Sequence, residues 1–356
     1  MIVRLWGAAV AILFATLVLL SFFNYEIHPA LAWTFVVLAG GGLSIYVVWK
    51  GLTLYVIRRL LEAVVTVLII ATMTFLLLRI LPGGPFDSEK ALPKEVMENL
   101  AKKYKLNEPL YKQYGDYMVG LMHGDLGQSY KYISRDITSI LSESLPNSVQ
   151  LGVYALIISY LIGIPMGVFA GWRPNSWVDV SCMTFAISGV ALPSFLVAPI
   201  FILLFVKQLG WFEPALWDGP AYYVLPMVTL GIRPAAVIAR LTRTSVLEVI
   251  HSDFIRTAKA KGLNARTVLF KHVLRNSLIP VLSLSGPLAA AILTGSFVIE
   301  QIFAIPGVAK HLVLSVTNRD YPLILGATLM FSLVLVMANL ITDLLIALVD
   351  PRVKIT

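Results

Sequence analysis

The sequence predicts an all-α protein that crosses a bilayer several times, and three observations carry that prediction. Of its 356 residues, 58% are hydrophobic and 13% charged, about half the charged share of a soluble domain. The mean hydropathy is +0.82. The apolar residues also come in runs close to the ~20 residues that a helix needs to cross the hydrocarbon core. Together these exclude a soluble enzyme, a disordered tail and a nucleic-acid binder, despite a net charge of +8. In a membrane chain, excess basic charge marks loops retained in the cytoplasm. Cys182 is the single cysteine, so neither a disulfide framework nor a multi-cysteine metal site can form.

Eight spans follow in order. Leu5–Phe23 and Ala30–Trp49 carry no charge, and Leu54–Leu81 carries Arg58, Arg59, Glu62 and Arg79 near its ends. Asn147–Trp172, Val180–Val206 and Asn276–Ile299 are charge-free. Tyr222–Thr244 is interrupted by Arg233, and Tyr321–Val349 holds only Asp343. With the N-terminus inside, the cytoplasmic set has 15 basic to 6 acidic residues, and the outer set 12 to 14. Short loops rich in Lys and Arg stay inside, so both termini are expected in the cytoplasm. The expected organisation is an N-terminal hairpin over 1–50, a first core helix over 54–81 and an extracytoplasmic domain over 82–145. A core over 146–349 with a cytoplasmic loop over 244–276, and a cytoplasmic tail over 350–356, complete it. The outer segment mixes charges of both signs with Tyr104, Tyr111, Tyr114 and Tyr117, which predicts a small folded domain. Leu5–Phe23 is longer than the apolar region of a secretory signal, so it is read as a span.

Gly and Pro interrupt several spans, at Gly163–Gly167, Leu192-Pro193, Leu225-Pro226, Arg233-Pro234 and Gly286-Pro287. Such breaks survive in lipid where neighbouring protein or a water-filled cavity satisfies the freed carbonyls. They suit a bundle lining a path that opens and closes. Since Gly and Pro are generally enriched in membrane helices, the breaks are better read as helices packed through small residues such as Gly163, Gly167 and Gly171.

The long cytoplasmic loop is the most informative stretch. Ser252 or Asp253 can cap one short helix and Asn264 a second. Gly262 supplies a left-handed stop between them, with Lys259 and Lys261 where the helix dipole favours cations. The expected form is a rigid helix–Gly–helix elbow. Phe254, Ile255 and Ala258 fall on one face, flanked by Arg256 and Lys259. That is an apolar knob with a basic rim, suited to a groove on another protein or, alternatively, to anionic lipid headgroups.

This elbow is similar to the cytoplasmic loop of binding-protein-dependent ABC importer permeases, whose pattern is Glu-Ala-Ala, three residues, Gly, and a run ending near Leu-Pro. Here Arg256-Thr257-Ala258 stands at the first three positions, Gly262 at the Gly, and Leu274-Arg275 at Leu-Pro. The wording from Phe254 to Leu263 resembles the peptide/nickel branch, particularly its B-type oligopeptide and dipeptide permeases. The resemblance extends through Tyr55–Leu61, Leu81–Pro85, Lys105–Pro109, Gly124–Gly127, Gly295–Glu300 and Asp350-Pro351-Arg352. It covers roughly Leu54 to Lys354 and leaves the first two spans outside it.

The resemblance implies a type I ABC importer permease fold with six core transmembrane helices, to which the N-terminal hairpin is an addition. It implies that Ser252, Asp253, Phe254, Ile255, Arg256, Thr257, Ala258, Lys259 and Gly262 couple to an ATPase. The implied partners are a second, C-type permease, one or two cytoplasmic ATPases, a periplasmic or lipid-anchored binding protein and a peptide substrate, in a bacterial cytoplasmic membrane. The chain carries no Gly-x-x-x-x-Gly-Lys-Ser/Thr phosphate loop. The expectation is therefore that it is not itself an enzyme and holds no cofactor, with ATP and Mg in partner subunits.

Five residues are candidates for the pathway or its gating: Arg233, Pro234, Pro193, Asn339 and Asp343. An ionisable residue inside a span commonly faces a cavity or a partner, so Arg233 either attracts a peptide carboxylate or fixes the helix beside Pro234. Asn339 and Asp343, one turn apart, read as packing or gating groups. Glu300 is expected in a structural hydrogen bond, and Asp125 as a turn cap. The alternative functions are import of dipeptides, nickel chelates or other small solutes, and a membrane scaffold or sensor. An intramembrane enzyme is disfavoured by the absence of a His-Glu-x-x-His or Gly-x-Ser-x-Gly motif.

Overall fold

A computed structural model of the chain describes residues 16–18, 20, 21, 53–80, 84–86, 94–132 and 135–349. Most of the hairpin expected over 1–50, including Gly40–Gly42, and the tail expected over 350–356 lie outside the described residues. The described chain is helical, with an isolated bridge between Gln128 and Asp136.

The helices are α1 (Thr53–Ile80), α2 (Lys94–Lys103), α3 (Leu110–Met122), α4 (Ile137–Trp172), α5 (Trp177–Ala191), α6 (Ser194–Phe201), α7 (Pro220–Ile250), α8 (Asp253–Ala260), α9 (Ala265–Thr267), α10 (Leu274–Ser283), α11 (Ser285–Ile302), α12 (Val308–Thr317) and α13 (Tyr321–Val349). Wider π-type turns over Ile202–Gln208 and Val268–Val273 extend α6 and join α9 to α10.

Among the described residues, Leu54–Ile80, Ile137–Trp172, Pro220–Ile250 and Tyr321–Asp343 are long and apolar enough to cross a bilayer. Only 11% of the most apolar window of Leu54–Ile80 is buried within the chain. Its surface of Ile57, Leu61, Val65, Ile69 and Met73 would be an aggregation site in water and is suited to lipid or partner helices.

Two expected spans are divided. Val180–Val206 is broken between α5 and α6 with a bend of 106°. Pro193 causes it, because the residue before a proline is pushed out of the helical region: Leu192 is extended at φ −86°, ψ 119°. Asn276–Ile299 is divided at Leu284 between α10 and α11. Pro287 has no N–H for the Ser283 carbonyl, and its ring crowds that carbonyl, so the helix restarts within its own first turn. Two other boundaries move outward. Asn147–Trp172 begins ten residues earlier, at Ile137, where the Ser144 hydroxyl bonds back to the Ile140 carbonyl at 2.9 Å. Tyr222–Thr244 runs from Pro220 to Ile250, with a proline at the position that tolerates the missing N–H.

The chain divides into two compact units, Met1–Glu62 with Gln150–Ile305 and Met337–Thr356, and Ala63–Val149 with Pro306–Val336. In the first unit, α7 is the central helix. Gly163, Gly167 and Gly171 of α4 meet it so closely that a Cβ at Gly163 would lie 2.6 Å from the Ala235 carbonyl oxygen. A Cβ at Gly231 of α7 would likewise lie 2.8 Å from the Ala155 oxygen. The Ser159 hydroxyl donates across this seam to the Gly231 carbonyl at 2.9 Å. The glycines of α4 therefore serve close helix approach. A second face of α7 takes α5, where Gly189 meets Ile232 and Ala236.

The second unit joins the segment expected as an outer domain to α12 and the start of α13. Its core is aromatic. Tyr114 and Tyr117 lie 5.4 and 5.7 Å from Phe75, and Tyr104 lies 4.5 Å from Tyr130, spacings at which ring pairs attract beyond their buried area. Tyr111, by contrast, is exposed. Asp125 caps a turn, accepting the Gly127 N–H at 2.8 Å. The buried Asp320 accepts the Ser129 hydroxyl and the Tyr130 N–H. Ile137, Ile140 and Leu141 of α4 pack on Val308, Leu323 and Ala327.

Candidate functional site

The elbow is present, with one face assigned differently from the expectation. Gly262 has φ +76°, the left-handed stop for which glycine pays no Cβ penalty. Asn264 caps the second helix, its side-chain oxygen accepting the Thr267 N–H at 2.8 Å. Ser252 occupies the cap position of α8, but its hydroxyl donates backward to the Val249 carbonyl at 2.6 Å and accepts nothing from α8. The Ser252 carbonyl instead accepts the N–H groups of Ile255 and Arg256, the third and fourth residues of α8.

Phe254, Ile255 and Ala258 do not form one outward knob. Ile255 is 0% exposed and Ala258 5%, packed with Val246, Val268 and Val273. Phe254 is 44% exposed. The apolar pair thus anchors the arm to its own unit, and the outward face is Phe254 with Asp253, Arg256, Thr257 and Lys259. Arg256 and Asp253 form a loose exposed pair at 3.7 Å, a contact of little energetic weight.

Behind the arm lies an ion pair that sequence reasoning missed. Arg243, two turns before the end of α7, donates through Nε and Nη2 to the two carboxylate oxygens of Asp179 at 2.5 and 2.7 Å. The Asp179 side chain is 4% exposed and also accepts the Asn175 N–H at 2.9 Å. A span beginning at Val180 puts Asp179 in a loop, and no period connects it to Arg243. An acidic residue three positions after Ser176, at the start of an apolar run, was the available signal. It fits the first turn of a helix, and the Ser176 side chain indeed accepts the Asp179 N–H.

The five pathway candidates lie apart in environment. Arg233 is exposed on α7, on neither the Gly231–Ala235 face nor the Ile232–Ala236 face. It has no ion pair or hydrogen bond among the described residues. Pro234 is buried within α7, and Pro193 stands at the 106° bend. Asn339 sits against Gly286, where a Cβ would meet its Oδ1 at 2.8 Å. Asp343 pairs with Arg59 at 3.3 Å. Glu300 is buried.

The arm follows directly on α7, which is seamed to α4 by glycines and tied to α5 by the Asp179–Arg243 pair. The family described as binding-protein-dependent transport system inner membrane component matches residues 163–355, and the corresponding N-terminal family matches 52–152. The oligopeptide transport system permease protein OppB of Haemophilus influenzae is 42% identical over 302 residues, covering 84% of this chain and 99% of that protein. The dipeptide transport system permease protein DppB of Bacillus subtilis is 42% identical over 301 residues, covering 85% and 98%. A solved chain of the MetNI methionine ABC transporter, in an inward-facing conformation, shares the fold with a TM-score of 0.51. It is 14% identical and covers 59% of this chain and 96% of that one. Matches of this extent, on a chain of long apolar helices with a helix–Gly–helix elbow, place it in the family of binding-protein-dependent transport system inner membrane components, as a multi-pass permease of ABC importer type.

Proposed function

We propose that this chain is one of two permease subunits of an importer that carries oligopeptides across the bacterial cytoplasmic membrane by alternating access. The observation that carries the reading is the arm: a short helix fixed from behind by Ile255 and Ala258, with Phe254 and a basic rim left outward. An aromatic side chain held rigidly in this way is the anchor a protein groove selects. The groove belongs to a cytoplasmic ATPase, one or two copies of which bind ATP and Mg. A C-type permease completes the conduit, and a periplasmic or lipid-anchored binding protein delivers the peptide. Both termini lie in the cytoplasm, in keeping with the basic short loops.

Closure of the ATPases on ATP pushes the arm through Phe254. Because the arm is continuous with α7, and α7 is locked to α4 and α5, the push becomes rigid-body rocking of packed helices. Arg233, on a free face of α7, and the bend at Pro193 are the groups on this chain that face or reshape the path. Arg59–Asp343 is an ion pair that can open and close with it.

Dipeptide import is the second reading, favoured by the equal 42% identity to an oligopeptide and a dipeptide permease. Uptake of labelled tripeptide and dipeptide by cells carrying or lacking the chain separates the two. The main reading expects ATP-dependent tripeptide uptake that Phe254→Asp abolishes while membrane insertion persists. Uptake of neither peptide, or full uptake by Phe254→Asp, contradicts it.

A further inference from the structure

The second unit holds a cavity of about 250 Å³ between α1, α3, the Gly124–Tyr130 turn and the start of α13, just below the range of drug-sized ligand sites. Phe75, Tyr104, Tyr130 and Tyr321 give it aromatic walls. Arg79 enters it with its guanidinium 5.0 Å from the Phe75 ring and 5.6 Å from the Tyr321 ring. Its Nη2 donates to the Gln113 side-chain oxygen at 2.7 Å. No carboxylate pairs with Arg79 among the described residues; Lys105 pairs with Asp116 at 2.9 Å and Glu108 with Lys112 at 3.0 Å, and the lining Asp125 accepts the Gly127 N–H at 2.8 Å.

Three buried polar atoms of the lining residues lack a hydrogen-bond partner among the described residues: Arg79 Nε, Tyr117 Oη and Glu108 Oε2. Buried polar groups are paired as a rule, and each exception calls for a cause. Two of these atoms are donors without an acceptor, and the third is an acceptor without a donor. Burial pushes the Tyr117 hydroxyl up to about 12, so it keeps its proton and remains a donor. Their convergence on one aromatic cavity supplies the complement: an acceptor with negative charge for Arg79 and Tyr117, an N–H for Glu108, and a flat apolar body between the rings.

We infer that this cavity binds a carboxylate that carries an adjacent amide N–H and an aromatic or apolar side chain, a group the size of one amino-acid residue. The free carboxy-terminal residue of a peptide and an N-acyl amino acid share that chemistry. The inference goes beyond the transport reading, because it concerns equilibrium binding to the second unit whatever solute is carried.

The test titrates N-acetyl-L-phenylalanine into the full-length chain in lipid nanodiscs without ATP, followed by ligand-observed NMR. Saturable binding is expected. N-acetyl-L-phenylalaninamide, which lacks the charge, is expected to bind about tenfold more weakly, as is the acid to Arg79→Gln, each losing a charge-assisted hydrogen bond. Tyr117→Phe removes a single hydroxyl and is expected to weaken binding severalfold, which keeps the test decisive if Arg79→Gln fails to fold. Tyr111→Phe, at an exposed ring outside the cavity, is expected to bind as the parent does. Displacement of the probe by Gly-Gly-Phe assigns the site to peptide ends, and lack of displacement assigns it to the N-acyl amino acid. Equal affinity for acid and amide, unchanged binding by Tyr117→Phe, or no saturation overturns the inference.

Discussion

Arg243 grips both carboxylate oxygens of Asp179 at 2.5 and 2.7 Å, tying the start of α5 to the end of α7 that leads into the elbow. A carboxylate so fully enclosed is costly to desolvate, and the pair repays that only because it is bidentate and Asp179 also takes a backbone N–H. Removing one partner leaves a buried charge uncompensated. Asp179→Ala and Arg243→Ala are each expected to destabilise the chain by about 3 kcal/mol. The double variant is expected to cost less than the two together. Thermal melting in nanodiscs checks this, and strict additivity contradicts the pairing.

A glycine inside the seam and one outside it predict substitutions of opposite sign. A Cβ at Gly167 meets the Ala239 carbonyl and Thr242, so Gly167→Ala is expected to cost about 1–3 kcal/mol through overpacking. Gly115, inside α3, has nothing within 4 Å of the same added atom. Gly115→Ala is expected to stabilise by up to ~1 kcal/mol, the helix-propensity difference. Melting both variants side by side tests the seam; equal shifts contradict it.

The two faces of α8 predict a split between folding and coupling. Ile255→Asp places a charge at a fully buried position and is expected to reduce the yield of folded chain. Phe254→Asp alters an exposed ring and is expected to leave melting within about 0.5 kcal/mol of the parent while peptide-stimulated ATP hydrolysis by the assembled importer is lost. Fluorescence size-exclusion profiles and ATPase assays read the two effects separately.

His311 predicts a pH dependence. Burial lowers its pKa below 6.5, and Lys310 and Arg135 lower it further. The unfolded chain therefore takes up this proton first on acidification. Its contribution to stability is intact above about pH 6.5 and falls as pH drops from there toward the folded-state value. His311→Gln is expected to flatten the melting temperature between about pH 7.5 and about pH 5.5 relative to the parent. An unchanged slope contradicts the assignment.

The sequence exposed what composition and period encode. The four long spans, the glycine stop at 262, the Asn264 cap and the packing role of Gly163, Gly167 and Gly171 were all legible, since each rests on local chemistry. Pro193 and Pro287 were visible as breakers, but a hydropathy window sums over a bend, so two broken segments read as single spans. Asp179 and Arg243 are 64 residues apart, and no local rule pairs them. The outward side of α8 was also hidden. Phe254 lies about 100° from Ile255 and about 40° from Ala258 on the helix, at the edge of the apolar arc. Only the positions of Val246, Val268 and Val273 decide which part of that arc is covered. Arg79 is legible as a charge near a span end, and its aromatic cavity needs the tertiary fold.

The central claim is that the arm hands mechanical work from an ATP-hydrolysing subunit to the spanning helices. A photo-crosslinking amino acid at position 254, in cells expressing the assembled importer, tests it most directly, with the same group at the exposed position 111 as a control. The account predicts a crosslink from 254 to a cytoplasmic ATPase and none from 111 to that subunit. A residue at 254 that captures only extracytoplasmic protein, or no ATP-hydrolysing subunit in an importer that is actively transporting, contradicts it.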